Sequence, residues 1–127
     1  MQAQHLFEYA VIRFVPRVER EEFLNVGIIL LCKKQNFLQA LSEVNQKRLE
    51  ALRPGSDLEV LTTHLQALAQ IAAGEPTAGP IAKLDIAGRF RWLTAQRSTV
   101  LQPSKVHPGL CEDPKLMMER LFREMVL

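Results

Sequence analysis

Three stretches of the chain gather side chains able to do chemistry. Residues 13–25 carry Arg13, Arg17, Glu19, Arg20, Glu21, Glu22 and Asn25. A guanidinium is a planar fork that suits a carboxylate or a phosphate, and a neighbouring Glu can hold that fork in place. Arg13 stands apart from the rest. It shares an alternation position with Tyr9 and Val11 in a segment whose neighbours read as buried. A buried guanidinium needs a partner, most simply one of Glu19, Glu21 or Glu22. Asn25, just before Val26 and Gly27, is placed to bond backbone where a strand starts. The plainer reading of the same residues is a solvated turn with surface ion pairs.

The second stretch interleaves Arg89, Phe90, Arg91 and Trp92, followed by Arg97 and Ser98. Arginines among aromatics can hold phosphates and stack bases. As a strand, however, this run puts Phe90 and Trp92 in the core and Arg89 and Arg91 in water. The third stretch is His107 and Cys111 with Glu112 and Asp113. A His and a Cys could ligate zinc, but a structural zinc site needs four ligands, and His5 and His64 lie far off in sequence. A Cys–His nucleophile pair is conceivable, yet Pro108 and Gly109 between them favour a simple turn. No metal and no cofactor is specified, and no catalytic residue is assigned.

The elements that must position these residues follow from periodicity. Leu6–Val15 is apolar on both alternating faces, which suggests a central strand ended by Pro16. Val26–Cys32 reads as a second strand of the same kind, and Phe37–Glu43 as a third, hairpinned to it through Lys33-Lys34-Gln35-Asn36. Asn45 caps a short helix through Leu52, and Ser56 or Asp57 caps the next. In that helix Leu58, Leu61, Leu65, Leu68 and Ala72 form one stripe, closed by Gly74 and Pro76. Residues 81–94 fit a short helix near 81–86 and a strand near 88–93. Residues 98–102 fit a further strand, and 103–114 are predicted largely irregular. Asp113 caps a last helix with Pro114 at its first position.

Strands come first and helices later. The class predicted is α+β, a small antiparallel or mixed sheet packed against a single layer of helices. The chain's 127 residues are expected to form one domain. With 47% apolar residues there is material for a core, although only 6% are aromatic. The net charge of +2 does not by itself point to nucleic acid. Two cysteines in unlike contexts suggest reduced thiols and a cytoplasmic location. The longest apolar run, Val26–Cys32, is too short for a bilayer, so a soluble protein without a leader peptide is expected.

Tyr9-Ala-Val-Ile-Arg13-Phe-Val-Pro16, continuing to Arg20-Glu-Glu22-Phe-Leu-Asn25-Val-Gly27, resembles the bacterial domain of unknown function family numbered 3037. The run from Arg91 to Thr94, then Arg97 and Ser98, and the ending with Pro103 and Glu112-Asp113-Pro114 resemble it too. The resemblance implies small bacterial proteins, some encoded beside kinases resembling HipA, and hence an accessory role. The matching polar positions Arg13, Arg20, Glu22, Asn25, Arg97 and Ser98 are the candidate binding residues, because apolar packing does not explain them.

Three functions stay open. The first is a protein-interaction or accessory module, serving a kinase or nucleic-acid system. The alternative is a binder of an anion, nucleotide or nucleic acid through the arginines, with nucleic acid held only weakly. The third is an enzyme acting on a phosphorylated or carboxylated substrate. The expected partner is another protein, and no membrane is involved.

Overall fold

Two strands that are apolar on both faces need cover on both sides, and this requirement shapes the molecule. The computed structural model describes residues 3–96 and 99–127. Strand β1 (His5–Phe14) lies at the centre of an open antiparallel sheet. One edge of β1 pairs with β2 (Leu24–Cys32), and β2 pairs with β3 (Phe37–Ser42). Its other edge is shared by two short strands. The strand β4 (Leu101–Pro103) pairs with residues 12–14, and β5 (His107–Cys111) with residues 5–9.

On one face Ile12, Phe14, Ile29 and Leu31 meet three helices, α1 (Gln46–Leu52), α2 (Leu58–Ala73) and α3 (Ile86–Leu93). On the other, Phe7, Val11, Ile28 and Leu30 pack on Met118, Leu121 and Val126, from α4 (Pro114–Met125) and its C-cap. The α+β class read from the sequence therefore holds, but the single layer of helices does not. Each face of β1 and β2 carries large aliphatic side chains, and one layer would leave half of them in water.

The helix caps act as their sequences suggest. Asn45, Asp57 and Asp113 each accept backbone N–H groups at the starts of α1, α2 and α4. In α2 the stripe turns inward, with Leu61 and Leu65 buried and Leu58 and Leu68 half-buried against the core.

Two segments differ from expectation. Residues 88–93 are helix α3, not strand, and 80–83 form a 3-10 turn instead of the helix near 81–86. Asp85 accepts the Gly88 N–H at 2.8 Å and starts α3. Ile86, Phe90 and Leu93 then fall on one helical face, so packing at a period near 3.6 prevails over the Arg–Phe–Arg–Trp alternation. Within 103–114, predicted irregular, β5 forms despite Pro108 and Gly109. Among the described residues it pairs only with β1, and an edge strand tolerates a proline. Gly109 lies against the Phe7 ring, whose atoms would stand 2.5 Å from any Cβ there.

One irregularity bears on function. Ile12 pairs with Gly27 but Arg13 pairs with Asn25, so Val26 is an extra residue on β2. This β-bulge turns Val26 toward the α1–α3 side with Ile29 and Leu31. It also sets Asn25 directly across from Arg13. Gly27 is required beside it, since a Cβ would sit 2.8 Å from the Leu41 carbonyl oxygen.

Candidate functional site

Beyond β1 the chain runs through Val15 and Pro16 into a 3-10 turn at Val18–Arg20, then reverses at Glu21, whose φ of 55° is left-handed. That reversal brings Phe23 back beside the end of β1. The Arg13 guanidinium carbon sits 4.2 Å from the centre of the Phe23 ring. A cation over a ring face at this distance is attracted by the ring quadrupole, by about 0.5–1 kcal/mol at an exposed site. Arg13 therefore has an aromatic platform in place of the carboxylate its burial suggested. Its Nε is buried and has no hydrogen-bond partner among the described residues.

Arg13 and Phe23 form one wall of an open hollow of about 760 Å³. Gln102, directly across from Arg13 on β4, and Gln96 add amide groups. Lys105 adds a second cation and Glu21 one carboxylate. The β4 side of the hollow is fixed by Ser104, which is 3% exposed. Its Oγ accepts the Val11 N–H at 2.8 Å and donates to the Lys105 carbonyl at 2.9 Å, while its own N–H donates to the Val11 carbonyl. Nothing in the sequence reading singled out Ser104, Phe23 or Lys105. The signal available was Phe23 itself, an aromatic between a charged run and a buried strand.

The other candidate residues fall elsewhere. Asn25 donates from Nδ2 to the Met125 carbonyl at 3.0 Å and so ties the C-terminus of α4 to the start of β2. Its Oδ1 is buried and has no hydrogen-bond partner among the described residues. Arg20 and Glu22 form an exposed ion pair and line a different hollow, with Arg17, Arg53 and Pro54. Donation from Arg20 holds the Glu22 carboxyl below its ordinary range, and Glu22 in turn raises Arg20. Glu19 is lowered by a backbone N–H and then by Arg17, with which it pairs at 2.7 Å. Arg97 and Ser98 lie outside the described residues. Thus Arg13 and Asn25 share one face of the sheet, while Arg20 and Glu22 line another part of the surface.

The family profile that matches this chain runs over residues 9–126, from the middle of β1 to the end of α4, and so takes in the whole Arg13 hollow. The chain belongs to the family described as protein of unknown function (DUF3037). No curated protein and no solved structure matches it. In this DUF3037 chain the remaining constellations have structural surroundings. Arg89 donates to the Leu84 carbonyl at 2.6 Å and lies over Gly74 at the C-terminus of α2, where a cation is favoured. Phe90 is buried, Trp92 is half-buried against the core, and Arg91 is exposed.

His107 packs its ring against Tyr9, with centroids 5.3 Å apart, and Cys111 is buried beside Cys32. Burial, and then the Cys32 thiol, push the Cys111 thiol up. Among the described residues no helix is long and apolar enough to cross a membrane.

Proposed function

We propose that this chain is a protein-interaction module that takes an acidic side chain of its partner into the Arg13 hollow. The observation that carries the reading is the half-buried Arg13 guanidinium. It lies over the Phe23 ring, forms no ion pair among the described residues, and opens onto a hollow with Lys105 and Glu21. A charged group fixed in place before binding loses little side-chain entropy when its partner arrives. A carboxylate in the hollow would meet the terminal N–H groups of the guanidinium in charge-assisted hydrogen bonds. The module acts as one domain, and its two buried thiols fit a reducing cytoplasm. Lys105 supports a second reading, in which the hollow takes a phosphate or a nucleotide.

The test is a titration with N-acetylglutamate, followed by NMR at the Gln102 and Lys105 backbone amides, which border the hollow, and compared with N-acetylglutamine. A saturable shift with the acid alone, lost in Arg13→Gln, supports the interaction reading. Equal shifts with acid and amide, or shifts that persist in Arg13→Gln, would overturn it. Saturation by inorganic phosphate at much lower concentration would favour the second reading.

A further inference from the structure

The opposite face of β4 borders an apolar cavity that the Arg13 reading does not use. Ile12 and Ile29 form its floor, Leu68 and Ile71 of α2 one wall, and Trp92 and Leu101 line it too. Its volume is about 330 Å³. The hollow is open to solvent where His64, Ala67 and Val100 are exposed, and the buried Ile12, Ile29 and Leu93 close its base. A dry apolar cavity of about half this volume accepts a benzene ring. The space therefore suits on the order of ten carbon and other heavy atoms.

His64 and Val100 also border a neighbouring hollow of about 340 Å³, which holds Arg53, Ser56 and Asp57. The two hollows thus adjoin at His64 and Val100, and the second adds the polar groups of Arg53, Ser56 and Asp57 to a mostly apolar lining. Asp57 is committed to α2, where its Oδ1 accepts the Val60 N–H at 3.1 Å, and the positive end of the helix offsets its charge. Arg53 has no ion pair among the described residues and is exposed. A cation and a histidine then face a ligand head whose tail fills the apolar part.

We propose that this paired cavity binds a medium-chain carboxylic acid, its hydrocarbon tail between α2 and β4 and its carboxylate at His64 and Arg53. The size of the apolar part limits the tail to about eight to ten carbons. The Arg53 fork supplies the preference for a carboxylate over a neutral head.

Trp92 is the chain's single tryptophan and lines the cavity, so its fluorescence reports on occupancy. The probe is 8-bromooctanoate, whose bromine quenches an indole on contact. Expected are saturable quenching and at least fivefold weaker binding of 8-bromo-1-octanol. Arg53→Gln should bring acid and alcohol to equal affinity. Ala67→Phe, on the exposed side of α2, should fill the cavity and weaken binding tenfold or more with the melting temperature unchanged. Val100→Phe closes the mouth from the β4 side and serves as a second plug if the first unfolds the chain. Quenching that rises linearly with concentration, or that survives both plugs, would overturn the site. Equal affinity of acid and alcohol in the unaltered protein would overturn the carboxylate assignment.

Discussion

Ser104→Ala removes one oxygen atom, and the structure states what that atom does. Ser104 Oγ accepts the Val11 N–H at 2.8 Å, in the middle of β1, where Val11 is 7% exposed. Alanine leaves that N–H without an acceptor and without water. An orphaned buried donor costs about 1–3 kcal/mol. Loss of the bond from Oγ to the Lys105 carbonyl adds about 0.5 kcal/mol, since that side is only part-buried. Alanine recovers a little by having no hydroxyl to desolvate, so the net loss is about 1.5–3 kcal/mol. For a chain of this length that lowers the melting temperature by roughly 5–12 °C.

Urea unfolding measures the loss, and the slope with denaturant should stay constant because the same surface is exposed on unfolding. Amide hydrogen exchange at Val11 should quicken more than at Ile28 on β2, which keeps its partners. A loss under about 0.5 kcal/mol, with Val11 exchange unchanged, would refute the claim that Ser104 satisfies the buried Val11 N–H.

Leu65→Ala, at a position 2% exposed, should cost about 2–5 kcal/mol in the same assay. Gly109→Ala should cost about 1–3 kcal/mol through its clash with the Phe7 ring, and much of that should return in a Phe7→Leu background; equal losses in both would refute the contact. Arg20→Ala should leave both the melting temperature and N-acetylglutamate binding unchanged, because its ion pair with Glu22 is exposed and lines a hollow separate from Arg13. Cys32 and Cys111 are both buried and unbridged. Both thiols should therefore count as free in unfolded protein and resist alkylation when folded. The raised Cys111 thiol adds stability that is complete below the ordinary thiol range and fades as pH climbs through its folded value, so alkaline melting should fall less in Cys111→Ala.

Much of the architecture was legible where one signal dominated. The doubly apolar runs of β1 and β2 had no helical alternative, and Asn45, Asp57 and Asp113 marked helix starts by a local bond that needs no tertiary context. Residues 86–93 were ambiguous because Arg89, Phe90, Arg91 and Trp92 imitate a period of two, and Gly88 weakens a helical reading. The decision falls to Asp85 and to the burial of Phe90 and Leu93, which only packing reveals. For β5, Pro108 and Gly109 argue against a strand in isolation. What permits it is the vacant edge of β1 and the Phe7 ring over Gly109, both distant in sequence.

The candidate site shows the same division, and the bulge at Val26 explains it. Strict alternation would have set Arg13 opposite Val26 and Asn25 opposite Phe14. The extra residue instead gives Arg13 the amide of Asn25 as its cross-strand neighbour and sends Val26 to the other face. Asn25 is then free to hold the Met125 carbonyl, so the C-terminus of α4 is fastened beside the arginine. The left-handed turn at Glu21 returns Phe23 to the guanidinium. A one-residue insertion thus converts two half-buried polar positions into a helix tie and an oriented cation at the rim of the sheet. Sequence types revealed that Arg13 had to be satisfied. Only the register revealed that an aromatic ring, and not Glu22, lies beneath it.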